Sequence, residues 1–146
     1  MTATKHRITA SDMHIDLARG TDAQVFRWLV ACLLFGARIS QDIAARAYAE
    51  LDKLGVLTPG RLAGADGLDL VHALDRGGYR RYDESTAREL ISLGQRVLDE
   101  YGGHAARVRD GADSKRAVAG RVREFTGIGP AAADIFVREI PPSWGL

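Results

Sequence analysis

Hydrophobic side chains recur at helical spacing along most of this chain, and the strict alternation typical of strands is almost absent. The clearest run covers residues 84–101. Its apolar or small positions follow the steps i, i+4, i+7, i+8 and i+11, at Leu90, Gly94, Val97, Leu98 and Tyr101. Residues 22–36 place apolar side chains at the same spacing. The pattern predicts an all-α fold.

Local start and stop signals divide the chain into further helices. These are predicted over residues 41–54, 60–64, 67–74 and 114–124, and one more from Pro130 onward. Ser40 is expected to cap the helix that follows it. Two pairs match the capping box of a helix N-terminus, namely Thr21 with Gln24 and Thr86 with Glu89.

Length and charge limit what kind of protein this is. With 146 residues, we expect one domain over residues 1–146, in which residues 1–20 form a less ordered N-terminal arm. The formal net charge of +1 excludes a strongly basic surface. Any contact with nucleic acid must therefore use a local patch of positive charge.

Cys32 is the only cysteine, which excludes an internal disulfide and a four-cysteine zinc or iron–sulfur site. It lies inside an apolar run, so we expect a buried, unreactive thiol in a reducing, cytoplasmic setting. The run is too short to span a bilayer, and no membrane partner is expected. The sequence does not indicate an oligomeric state.

The most informative stretch covers residues 125–135, which predict a tight hairpin that opens into a helix. Gly127 and Gly129 flank the apolar Ile128, and glycine permits a sharp turn with exposed backbone amides. Pro130 suits the first helical position, and the alanines after it leave the first amides uncovered. Free amides at the positive end of a helix dipole favour an anion. An ordinary turn between two helices is the alternative.

The segment before this hairpin is basic. Between residues 104 and 123, only Asp110 and Asp113 oppose six cations, which are Arg107, Arg109, Lys115, Arg116, Arg121 and Arg123. A second cluster places Tyr79 and Tyr82 beside Arg80 and Arg81. That cluster could stack a splayed base, or form a solvated loop with partly buried tyrosines.

The ordered set of these features resembles the endonuclease III-like DNA glycosylases of the helix-hairpin-helix superfamily. The resemblance runs over roughly residues 22–140, from the first apolar helix through the Gly78-Tyr79 turn to the hairpin. It implies a multi-helix orthogonal bundle, the six-helix barrel part of the glycosylase fold, that ends in a helix-hairpin-helix. It also implies base-excision repair as the setting and duplex DNA as the partner.

Binding residues follow from the resemblance at matching positions. The DNA backbone would contact the hairpin and its basic approach, at Gly127, Ile128, Gly129, Ala131, Ala132, Lys115, Arg121 and Arg123. The backbone carbonyls of Arg123, Phe125 and Ile128 would hold a monovalent cation. No iron–sulfur cluster is implied, because its cysteines are absent.

Catalytic residues carry over poorly. Ala131 stands where bifunctional members have a lysine nucleophile, and alanine cannot form a Schiff base. The family's aspartate after the hairpin would fall beyond Leu146, which leaves Asp134 as a weak candidate. We therefore expect a truncated or degenerate glycosylase-like protein that binds DNA and has weak or absent glycosylase activity. The alternatives are a non-enzymatic helix-hairpin-helix DNA-binding module and a helical protein-interaction domain.

Overall fold

The computed structural model describes residues 7–146, and within them it contains seven α-helices and no strand. Helices α1 to α7 span Asp22–Phe35, Gln41–Leu54, Pro59–Ala63, Gly67–Arg76, Asp83–Tyr101, Lys115–Val122 and Pro130–Arg138. Short 3-10 turns cover Ser11–Met13, Ala105–Arg109 and Pro142–Trp144. The all-α class is thus confirmed for the described part, and the predicted helix bounds lie within two residues of these.

Helix α1 lies at the centre of the core. Every residue of α1 from Val25 to Leu34 is buried except Arg27, which gives nine buried residues. A helix that is apolar all round requires neighbours on every face. Here these are α2, α5, α7 and the turn Ala105–Arg109. The Trp28 indole Nε1 donates to the Phe136 carbonyl at 3.2 Å, which joins α1 to α7 inside the core.

Helix α5 is the longest helix and packs on α3 and α4. Close approach is possible because Gly94 faces α3: a Cβ there would lie 2.7 Å from the Pro59 carbonyl oxygen. Any larger residue at position 94 would push the two helices apart. This packing fixes the direction of α5, whose first half borders the candidate site.

The observed helix N-caps show which of the cap predictions were correct. Ser40 caps α2, since its hydroxyl accepts the Ile43 N–H at 3.2 Å. The Thr21–Gln24 capping box is wrong, because Thr21 makes no side-chain cap and the Gln24 Oε1 accepts the Asp16 N–H instead. The Thr86–Glu89 box is also wrong: α5 begins at Asp83, which places both residues inside the helix.

The two ends of the described chain pack against each other. Ile8, Ala10, Met13 and Ile15 are buried in the core, so residues 7–15 of the predicted N-terminal arm are packed. The Ala10 N–H donates to the Glu139 carboxylate at 3.1 Å. Trp144 is buried beside Gly20. The part of the arm before residue 7 lies outside the described residues.

Cys32 is fully buried in α1, as predicted, and burial raises the pKa of its thiol well above the ordinary value. A thiol held in its neutral form is a poor nucleophile. None of the helices in residues 7–146 is both long enough and apolar enough to cross a membrane.

Candidate nucleic-acid interface

The loop of residues 123–129 connects α6 to α7 and is folded by its two apolar side chains. Phe125 and Ile128 are 2% and 3% exposed, so both point into the core. Gly127, between them in the turn, has a φ of +93°, a backbone conformation that residues with a Cβ rarely adopt. The backbone at Thr126, Gly127 and Gly129 is left at the surface.

Four backbone amides where this loop enters α7 have no acceptor within residues 7–146. They belong to Gly127, Gly129, Ala131 and Ala132. The neighbouring amides are used internally: Ile128 N–H donates to the Phe125 carbonyl at 3.1 Å, and Ala133 N–H donates to the Gly129 carbonyl at 3.0 Å. Pro130, at the first position of α7, has no N–H. Gly127, Gly129 and Ala131 are exposed, so the loop presents three of these donors at the positive end of α7, whereas the predicted contact residue Ala132 is buried.

Helix α5 supports the loop from behind through Arg96. Its guanidinium donates to the Glu124 carbonyl and lies 5.4 Å from the centre of the Phe125 ring. Arg96 also pairs with Glu100, and this hydrogen bond lowers the pKa of the Glu100 carboxyl. The Tyr101 ring packs 6.0 Å from the Phe125 ring. These contacts fix the loop against a long, well-packed helix.

The resemblance implies a monovalent cation on three loop carbonyls, and the structure shows which hydrogen bonds those carbonyls accept. The Phe125 carbonyl accepts the Ile128 N–H, and a carbonyl oxygen has a second lone pair. The carbonyls of Arg123 and Ile128 accept no hydrogen bond from the backbone of the loop.

The predicted basic residues fall into two groups. Lys115 in the first turn of α6 and Arg123 at its end are exposed. Arg121 is half-buried, and its guanidinium donates to the carbonyls of Val108 and Asp110. Arg121 therefore holds the turn before α6 in place, whereas Lys115 and Arg123 leave their charge at the surface.

A cleft of about 280 Å³ opens directly beside the loop. Its apolar floor includes Leu33 and Tyr79, and its rim includes Arg38, Tyr82 and Gly127. It lies where the end of α1, the first half of α5 and the α6–α7 loop meet. Its volume is near the lower end of the range for small-molecule sites, which is about 300 Å³.

The two tyrosines of the predicted basic–aromatic cluster have different positions. Tyr79 is fully buried, donates to the Leu34 carbonyl at 3.4 Å and accepts from the Thr86 hydroxyl at 3.5 Å. Tyr82 is 42% exposed at the rim of the cleft, with the Arg81 guanidinium 5.0 Å from its ring. Only Tyr82 is free to stack on a ligand.

Glu89 is the residue of this site that the sequence did not indicate. It lines the cleft, and its carboxyl lies against Gly127: a Cβ built there would be 2.8 Å from the Glu89 Cδ. Within residues 7–146 this carboxyl makes no hydrogen bond or ion pair, and burial raises its pKa. The sequence pattern assigned Glu89 to a capping box at a helix N-terminus. Because α5 begins at Asp83, Glu89 instead lies within the helix, and its side chain faces the cleft.

The predicted catalytic positions lie elsewhere. Asp134 is exposed on α7 and is not part of the cleft lining. Ala131 is exposed in the first turn of α7. In the described part of the chain, no three His, Cys, Asp or Glu side chains come together as a metal site.

Comparisons with protein-family models, curated proteins and solved structures gave no match to this chain.

Proposed function

We propose that this protein binds duplex DNA in a base-excision-repair setting, as a DNA glycosylase-like protein, and that it contacts the phosphate backbone through a helix-hairpin-helix. The single observation that supports this is the group of unbonded amides at the exposed residues Gly127, Gly129 and Ala131. A phosphate oxygen accepts several such donors at once, and the dipole of α7 favours its negative charge.

The surroundings of the amides support the same proposal. Arg123 and Lys115 are exposed on the helix that leads into the loop, and they provide local attraction for a polyanion. Backbone amides and surface cations contact phosphates and do not distinguish bases. We therefore expect affinity that is insensitive to sequence and that falls with salt. A monovalent cation on the carbonyls of Arg123, Phe125 and Ile128 would add positive charge at the same place.

A non-enzymatic DNA-binding module is the second candidate. Two placements favour it over an active glycosylase: Ala131 stands at the position that the resemblance assigns to a lysine, and Asp134 lies outside the cleft. The two candidates share the phosphate contact and differ only in whether a base is released. A binding experiment therefore tests what they have in common.

Gly129→Leu is the sharpest test of the phosphate contact. The φ of Gly129 is −90°, and nothing lies within 4 Å of a Cβ built there, so the substitution should not disturb the fold. The leucine side chain would cover the neighbouring amides. We expect the affinity for a fluorescein-labelled duplex, measured by anisotropy at low salt, to fall about tenfold or more, a loss of about 1.4 kcal/mol.

Gly60→Leu is the matched control. Gly60 lies in the first turn of α3, is exposed, and also has open space around a Cβ at its position. The substitution should leave DNA affinity unchanged. Equal affinity of the wild-type protein, Gly129→Leu and Gly60→Leu would contradict the proposal, and so would wild-type binding that does not respond to salt. In either case a protein-interaction domain becomes the better interpretation.

A further inference from the structure

We propose that the turn Ala105–Arg109, between α5 and α6, is a second phosphate-binding site, where Arg107 and Arg109 contact the backbone of the duplex that the α6–α7 loop binds. This inference rests on the proposed function, because the loop must hold the duplex first. The two arginines line a pocket of about 340 Å³ that is separate from the cleft beside the loop.

Asp22, the first residue of α1, fixes the turn Ala105–Arg109 in place. Its Oδ1 accepts the Ala106 N–H at 3.0 Å, and its Oδ2 lies 2.7 Å from the His104 Nδ1. Both carboxylate oxygens of Asp22 are therefore bonded to this segment. The Arg121 guanidinium on α6 holds the segment from the other side, through two of its carbonyls. These bonds give the pocket a defined shape without using either of its arginines.

The guanidinium groups of Arg107 and Arg109 are available to an anion. Both side chains are exposed, and neither forms an ion pair with a carboxylate within residues 7–146. Arg109 lies over the ring of the buried Trp144, 5.8 Å from its centre. A guanidinium placed on an aromatic ring still has N–H donors for a phosphate. Hydrogen bonds from arginine to phosphate are strong because both partners are charged.

Two carboxylates line the same pocket, and they affect a bound anion differently. The charge of Asp22 is directed at the Ala106 N–H and the His104 ring. Asp110 is exposed and forms no ion pair in the described part of the chain, so it would repel a phosphate in the pocket. Removal of the Asp110 charge should therefore strengthen DNA binding, whereas removal of either arginine should weaken it.

The loop and the turn are close enough for one duplex to contact both. Asp22 begins α1 beside the turn, and Gly36 follows α1 beside the loop, where a Cβ would lie 3.5 Å from the Gly127 carbonyl oxygen. The 14 residues of α1 separate these ends by about 21 Å. Each strand of B-DNA carries one phosphate per 3.4 Å of helix axis, so this separation corresponds to about six base pairs.

The salt dependence of binding tests whether the arginines touch phosphate. Arg107→Gln and Arg109→Gln should each reduce the slope of log K against log salt by about one unit, and the double variant by about two. Arg46→Gln, which removes an exposed charge on α2, should keep the wild-type slope. Arg107→Gln remains a valid test if loss of the Trp144 contact destabilises Arg109→Gln.

Asp110→Asn tests the same site with the opposite sign. We expect it to bind the duplex about twofold tighter or more at low salt, within the range of one exposed charge pair. Asp69→Asn is the matched control, because it removes an exposed carboxylate from the first turn of α4. Its affinity should equal that of the wild-type protein.

The position of the DNA can be tested without a change of charge at the pocket. Cys32 is the only cysteine and is buried, so Ala106→Cys adds the one accessible thiol. Ala106 lines the pocket. An iron–EDTA group attached to that thiol should cleave the bound duplex. The same group attached to Gly60→Cys, on α3, should not.

The outcomes distinguish this inference from the proposed function. Wild-type slopes in both arginine variants, or no cleavage from Ala106→Cys, overturn the inference and leave the loop contact in place. Inorganic phosphate is the probe for a free ligand. If it shifts the Nε–H NMR signals of Arg107 and Arg109 while the slopes stay at the wild-type value, the pocket binds free phosphate and the inference is overturned. A wild-type protein that binds no duplex overturns the proposed function itself.

Discussion

Glu89 illustrates how a single residue takes its properties from its surroundings. On an isolated helix it would be a solvated carboxylate. Here it is partly buried against Gly127 with no cation bonded to it, and desolvation raises its pKa. Arg88, on the same helix, offsets this only in part. The charged form of Glu89 is therefore a local cost to the folded state at neutral pH.

The cost of charging Glu89 makes the stability of the folded protein depend on pH. Because the folded pKa of Glu89 lies above its unfolded value, its contribution to stability is full at pH below about 4.5 and is lost as pH rises through the folded pKa. Glu89→Gln has no such loss. We expect its Tm to exceed that of the wild-type protein at pH 7, by no more than about 2–4 °C. The difference should vanish in acid, below the unfolded pKa.

The Tm difference between Glu89→Gln and the wild-type protein is measured at a series of pH values by thermal unfolding monitored with circular dichroism. Glu84→Gln serves as the control, since Glu84 is exposed and should show no rise in Tm at neutral pH. A Glu89→Gln protein that is no more stable than wild type at neutral pH would mean that the carboxyl is well solvated in the folded state.

At the scale of elements, α6, the loop and α7 act together. Helix α6 brings cations to the loop, the buried Phe125 and Ile128 shape it, and α7 begins with unbonded amides. Arg96 from α5 holds the loop from behind. The contacts that support the loop therefore come from three helices, α5, α6 and α7.

The salt dependence of DNA binding should report which cations touch phosphate. Arg123→Gln and Lys115→Gln each remove an exposed charge, so each should reduce the slope of log K against log salt by about one unit. Arg121 is occupied by two carbonyls. Arg121→Gln should therefore mainly lower the Tm, by about 2–4 °C for each 1 kcal/mol lost.

Arg46→Gln is the matched control for these variants, because Arg46 is exposed on α2, away from the loop. Its slope should equal that of the wild-type protein. A slope that stays unchanged in Arg123→Gln and Lys115→Gln would show that these side chains face solvent in the complex, and that the amides alone contact the DNA.

At the scale of the whole molecule, the chain has three lysines, and none of them lines the cleft. Lys53 pairs with Glu50 on α2 at 3.1 Å. Lys115 begins α6, about 10 Å along the helix from Val122 and the loop. Lys5 lies outside the described residues. Ala131 stands where the resemblance expects a lysine nucleophile, so we expect no lysine amine of the described chain to reach a sugar bound at the loop.

We therefore predict no borohydride-trapped covalent complex between this protein and abasic DNA, measured by a gel shift under denaturing conditions. A bifunctional glycosylase run in parallel confirms that the reaction works. A trapped adduct that maps to Lys5, Lys53 or Lys115 after proteolysis would contradict the prediction, because it would require a lysine to reach the sugar from a distant element.

The sequence by itself determined the local structure of this protein. The helices, the Ser40 cap and the glycine turn before Pro130 agree with the structure because each depends on residues close together in the chain. Hydrophobic periodicity and cap chemistry act over a few turns of helix. The same reasoning failed at Thr21, which makes no cap while Gln24 bonds to Asp16, and at Thr86, which lies inside α5 because that helix begins at Asp83.

Only the tertiary structure decided which side chains share the candidate site. Tyr79 is buried and Tyr82 exposed, although they are three residues apart, because the Tyr79 ring lies between Leu34 of α1 and Thr86 of α5, to which its hydroxyl is hydrogen-bonded. Arg121 bonds to carbonyls more than ten residues earlier in the chain, and Glu89 meets Gly127 across the cleft. Each of these contacts joins elements that are separate in the sequence and are brought together only by the packing of the helices. The way the helices cross is set by the packing of all of them together, which no local stretch of sequence contains.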